Sequence, residues 1–128
     1  MVHEDVTRRI IGAALKVHSA FGAGMLESTY DACLHYQFSV DGLRFDHHVR
    51  LPVVYHSVRL DAGYRIDYLV ENCVIVELKA AEKLVPIHQA QLMSYLKATG
   101  CRLGLLINFH ERLLRDGVRR VVHTQADG

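Results

Sequence analysis

The chain has 128 residues, half of them apolar and 23% charged, with a formal net charge of +1. That is ordinary globular composition at one-domain length, enough to bury roughly two-thirds of the unfolded surface. It excludes a disordered tail and a strongly electrostatic nucleic-acid coat, and no apolar run approaches the ~20 residues of a membrane-spanning helix. The acids and arginines of MVHEDVTRRI argue against an export signal. Cys33, Cys73 and Cys101 show no Cys-x-x-Cys spacing, so they read as reduced thiols of a cytoplasmic protein.

In chain order, Val6, Ile10, Ala13 or Ala14, Val17 and Phe21 recur near a 3.6-residue period and predict an amphipathic helix over 4–21. Gly22 is expected to cap it in the left-handed conformation, and a second helix runs from about 25 to the Asp41-Gly42 turn. Residues 43–79 are rich in Val, Tyr, Ile, Leu and Phe. Broken by HS at 56–57, DAG at 61–63 and ENC at 71–73, they read as a meander of about three strands. Pro52 marks the first as an edge strand or a bulge. A third helix spans about 87–99, ended by Gly100. The apolar run RLGLLINF suits a strand buried on both faces, and 117–123 a last edge strand. The order ααβββαββ predicts one α/β domain over 1–128, a central mixed sheet flanked by helices.

Chemistry concentrates in VIVELKA, residues 74–80, where Glu77 and Lys79 share one strand face. Their relation to Asp67 depends on the intervening turn. A two-residue turn at 71–72 puts Asp67 and Glu77 on opposite faces. A three-residue turn, Glu71-Asn72-Cys73, or a one-residue bulge sets them opposite each other on the same face. Two converging carboxylates repel unless a proton or cation lies between them, and hard oxygen donors suit Mg²⁺ or Mn²⁺. Lys79 would then stand beside a water polarised by the ion, the apparatus of phosphodiester hydrolysis. The competing reading is exposed cross-strand charges beside Arg65 and Lys79, worth a few tenths of a kcal/mol.

Asp67-x9-Glu77-Leu78-Lys79 resembles the D…(D/E)xK signature of the PD-(D/E)xK nuclease superfamily. Gln91-Leu-Met-Ser-Tyr95 is similar to the QxxxY motif of its exonuclease-like branches, and Gly24-Met-Leu-Glu27-Ser-Thr-Tyr30 to the pattern of the GxxExxY family. Ile66 stands where the name-giving proline would precede Asp67. The resemblance covers roughly residues 5–122 and implies a restriction-endonuclease-like core. It implies Asp67, Glu77 and the Leu78 carbonyl as metal ligands, joined by Glu27, with Lys79 acting on the water. Gln91 would orient lysine, water or phosphate, and Tyr30 and Tyr95 would support the site or touch substrate. His88, Gln91 and Tyr95 fall on one face of the third helix by spacing alone, which makes His88 a supporting residue.

The implied function is Mg²⁺- or Mn²⁺-dependent hydrolysis of nucleic acid, DNA rather than RNA. The alternative is a non-cleaving nucleic-acid- or protein-binding module on the same fold. Small size favours a homodimer. Arg112, Arg115, Arg119 and Arg120 form the basic cluster that would touch a phosphate backbone. The nine histidines offer no pair with zinc-site spacing and a third ligand, and His47 and His48, adjacent in a strand, are expected to point to opposite faces.

Overall fold

A computed structural model describes residues 2–124, the side chain of Ala62 excepted. Its elements are α1 (Glu4–Phe21), α2 (Glu27–Val40), β1 (Phe45–Tyr55), β2 (Val58–Val70), β3 (Val74–Lys79), α3 (Pro86–Thr99), β4 (Leu103–Asn108), a 3-10 turn (Leu114–Gly117) and β5 (Val118–Val122). Among the described residues the strands form one sheet in the order β1-β2-β3-β4-β5. Pairing is antiparallel except between β3 and β4, which are parallel. The parallel step requires a crossover, and α3 supplies it. The α/β class and the element order therefore agree with the sequence expectation.

Two apolar layers sandwich the sheet. On one face Ile10, Ala13, Ala14 and Val17 of α1 and Tyr30, Leu34 and Phe38 of α2 pack on Tyr68, Val70, Val74, Val76, Leu78 and Leu105. On the other, Leu92 and Leu96 of α3 cover Ile66, Ile75, Leu106 and Val121. Each buried large side chain contributes about 1.5–3 kcal/mol. β4 is buried throughout, as its unbroken apolar run requires. Close approach of α3 depends on Gly104, where an added Cβ would come within 2.7 Å of Leu92 Cδ1.

Several local expectations change. Gly22 has φ 67 but ψ −160, so it is not in the left-handed helical region. The predicted break at 61–63 is absent, because β2 runs unbroken through Gly63. A side chain at Gly63 would collide with Val53 of the neighbouring strand, and its absence lets the strands stay together. Pro52 satisfies both alternatives: β1 is an edge strand, and its register shifts between Leu51 and Val53.

Candidate functional site

The site forms where β2 and β3 part. The turn between them takes the three-residue form, pairing Val70 with Val74, Leu69 with Ile75 and Tyr68 with Val76. Glu71 and Asn72 adopt left-handed φ values of 52 and 55, and Cys73 N–H donates to Val70 O at 3.0 Å. Cys73 is the additional residue that sets the register. The turn is held from outside: Glu71 N–H donates to Arg44 O at 2.8 Å, and Arg44 N–H donates to Glu71 Oε2 at 2.8 Å.

Beyond Tyr68 the backbone ladder stops and carboxylates replace it. Asp67 N–H donates to Glu77 Oε2 at 2.6 Å, and Leu78 N–H donates to Asp67 Oδ2 at 2.9 Å. The first bond limits the carboxylate separation to about 6.5 Å, given standard bond lengths. The two acids do not share a face of a regular ladder. Val76 and Leu78 lie on the α1/α2 side, so Glu77 between them belongs to the α3 side with Ile75. Asp67 lies between Tyr68, on the α1/α2 side, and Ile66, on the α3 side, so alternation breaks at this residue. Its carboxylate enters a cavity of about 280 Å³ lined also by Glu27, Ser28, Asp31, His48, Arg65 and Leu78. The acids meet through the opened ladder.

Electrostatics follow from this burial. Glu77 is 7% exposed, and desolvation, followed by the nearby Asp67 charge, raises its pKa to about 8. The Asp67 N–H, and then Lys79 and Arg65, pull it the other way. Asp67 is also raised, first by burial and then by Asp31 and Glu27, against the Leu78 N–H and Arg65. Arg65 Nη2 stands 3.8 Å from Asp67 Oδ1. The pair is thus short of positive charge. Each carboxylate spends one oxygen on a backbone N–H; the other Asp67 oxygen meets only the long Arg65 contact, and the set fits a hard divalent cation. A strand residue directs its N–H and C=O to the same neighbour, so the Leu78 carbonyl faces the same gap.

Helix α2 brings a second set of groups. Tyr30, Leu34 and Phe38 form its buried stripe, and Glu27 and Asp31, one turn apart, form the stripe beside it. Tyr30 is fully buried and stacked on Phe109. Its hydroxyl donates to Gly22 O and accepts from Met25 N–H, which fixes the chain entering α2 just before Glu27. Glu27 itself is exposed. Asn108, fully buried, accepts from Ala81 N–H and His110 N–H and donates to Ala81 O, anchoring the segment that follows Lys79.

The remaining predicted residues are more dispersed. Tyr95 is half-buried, edge-on to Tyr64, and its hydroxyl pKa is raised by burial and then by Glu77 and Asp67. Gln91 is exposed and, among the described residues, makes no hydrogen bond to Asp67, Glu77 or Lys79. His88 Nδ1 accepts from Val85 N–H, a bond that closes the first turn of α3. Arg119 and Arg120 are successive residues of β5 and point to opposite faces, so the four-arginine cluster is not one patch. Arg119 instead borders an apolar hollow with Leu84, Met93 and Leu106.

One expectation reverses. His47 and His48 face the same side, because His48 adopts φ 54 and interrupts the alternation of β1. Their rings stack at 3.7 Å, and both Nε2 atoms contact Asp31 Oδ2, at 2.9 Å and 3.2 Å. Left-handed φ on a non-glycine residue costs ~1 kcal/mol or more. Sequence reasoning missed Asp31 and the two histidines on this face, and placed Arg65 beside Asp67 only as a surface charge. Asp31 alone carries a sequence signal, lying four residues after Glu27 on a predicted helix.

No curated protein and no solved structure matches the chain. A family model described as the PD-(D/E)XK nuclease superfamily matches residues 4–121, which include the parted strands, the acidic pair and all three helices α1, α2 and α3. With nearly the whole chain matched, this protein belongs to the PD-(D/E)XK nuclease superfamily, whose members are in general nucleases that use divalent metal ions.

Proposed function

We propose that this chain, as one domain, is a cytoplasmic Mg²⁺- or Mn²⁺-dependent nuclease of the GxxExxY branch that hydrolyses phosphodiester bonds of DNA. The observation that carries the reading is the Asp67–Glu77 pair, Glu77 buried and Asp67 partly so, set where two strands part, with Lys79 two residues beyond Glu77. Asp67, Glu77, the Leu78 carbonyl and Glu27 are the groups to hold the ion. When bound, such an ion supplies Lewis acidity at the phosphate and makes water a stronger nucleophile at neutral pH.

The side chains divide the remaining work. Lys79 shares the strand face of Glu77, where an ammonium orients the attacking water and offsets charge developing on phosphate oxygens. The Leu78 N–H holds Asp67 in one rotamer. Tyr30 keeps the loop before Glu27 in register, and Asn108 keeps the Lys79 end of β3 against β4. Exposed Arg65, beside Asp67 and on the cavity rim, is better placed to receive a phosphate than the dispersed Arg112, Arg115, Arg119 and Arg120. On α3, Tyr95 lies close enough to feel the Glu77 charge, and exposed Gln91 is the residue assigned to orient substrate phosphate. A twofold homodimer would present two such sites to two strands.

A substrate panel tests the class of reaction. End-labelled single-stranded, linear duplex and branched DNA, with matched RNA, are incubated with the protein in Mg²⁺, Mn²⁺ or EDTA. Cleavage of DNA that EDTA abolishes supports the reading. Binding without cleavage in every metal would favour a non-cleaving module on the same fold.

A further inference from the structure

We infer that Asp31, His47 and His48 form a second metal site, for a first-row transition ion such as Zn²⁺, on the α2 wall of the cavity that holds Asp67. It is distinct in chemistry from the Asp67–Glu77 pair, which offers only oxygen donors.

The donor set is the first argument. Two imidazole nitrogens and one carboxylate oxygen, one from each residue, lie within 4.8 Å of one another. Imidazole favours zinc and its neighbours over Mg²⁺, whereas an all-oxygen set favours the harder ions. Distances are the second. Zinc bonds of about 2.0–2.1 Å at tetrahedral angles separate neighbouring donor atoms by about 3.3 Å. The two nitrogen–oxygen separations here are 2.9 and 3.2 Å, within a few tenths of an ångström of that value.

Backbone and surroundings favour the same site. In a regular strand only one of two successive histidines can face α2, and the left-handed φ of His48 brings the second ring to that face. Tyr68 stacks on the His47 ring at 4.4 Å and donates its hydroxyl to the Asp31 carbonyl at 2.8 Å. The ring and the helix turn that carry two of the donors are therefore fixed before any ion arrives. His48 is half-exposed and borders the cavity, which leaves an entry path and an open coordination position for water or a phosphate oxygen.

The site does not depend on nuclease activity, so the test reads binding. The full-length chain is stripped with EDTA and titrated with Zn²⁺ by calorimetry and with Co²⁺ by visible absorption. Variants are His47→Gln, His48→Asn and the Asp67→Asn/Glu77→Gln pair. Asparagine tolerates left-handed φ, so His48→Asn removes the imidazole while keeping the backbone conformation. Unfolding curves confirm that each variant folds. One equivalent of Zn²⁺ is expected to bind the parent chain and the carboxylate double variant alike. Either histidine substitution should weaken binding about 100-fold or more, beyond the effect of losing an outer-shell partner. Intense Co²⁺ bands of a four-coordinate site should vanish with them. Absence of Zn²⁺ binding to the parent chain overturns the inference. So does binding that survives both histidine substitutions, or binding lost only in the carboxylate variant.

Discussion

The backbone N–H of Asp67 donates to the carboxylate of Glu77 across the point where β2 and β3 separate. A side chain there takes the place of a sheet rung, and buried Glu77 stands beside partly buried Asp67 as a result. This arrangement governs both the stability and the proposed chemistry of the protein.

The first consequence is a pH dependence of stability. Glu77 rises from an ordinary value of 4.5 to about 8 on folding, by burial and then by Asp67, and Asp67 shifts in the same direction. The folded state therefore binds more protons than the unfolded state between about pH 4.5 and 8. The stabilisation from protonated Glu77 is complete below the lower value and is lost as pH rises through the upper one. The melting temperature without divalent ions should be higher at pH 5.5 than at pH 8.5. Glu77→Gln, neutral throughout, should flatten that slope, and Mg²⁺ should stabilise the parent chain more at the higher pH. An unchanged slope in the variant would show that Glu77 is not the group responsible.

A second expectation concerns Tyr30. Tyr30→Phe keeps the ring on Phe109 but leaves the Gly22 carbonyl and Met25 N–H without their hydroxyl partner. The loss should be about 1–3 kcal/mol in urea unfolding. Because that hydroxyl fixes the loop before Glu27, cleavage should fall further than the unfolded fraction accounts for. A variant as stable as the parent would contradict this role.

Asn108 gives a third. Asn108→Ala removes three hydrogen bonds from a fully buried position and frees the segment after Lys79. The cost should be on the order of 3 kcal/mol, with Ala81 amide protection against hydrogen exchange reduced before the global transition. Retention of that protection would show that β4 anchors the segment by other means.

Periodicity makes α1 legible in the sequence, Gly100 marks the end of α3, and an unbroken apolar run reveals β4, because each signal is local. The turn at 71–73 is different. Sequence allows two registers, and the choice rests on Arg44, 27 residues away, which clasps Glu71 through backbone and side chain. Gly63 resembles a break, yet its missing side chain is what lets β2 pass close to Val53. His48 carries no glycine or asparagine signal for its left-handed φ, so its turn toward Asp31 is set by tertiary contacts. Asp67, Glu77 and Lys79 are visible as a motif, but their meeting through a gap in the sheet is visible only in three dimensions.

The central claim is that Asp67 and Glu77 hold a divalent ion for phosphodiester cleavage with Lys79 beside it. Single-turnover cleavage of one labelled DNA strand in Mg²⁺ tests it most directly, comparing the parent chain with Asp67→Asn, Glu77→Gln and Lys79→Ala. All three variants should fold and bind DNA, yet cleave at least about 10²–10³-fold more slowly, as expected when a preorganised electrostatic partner is removed. Cleavage at the parental rate in any of the three would contradict the account.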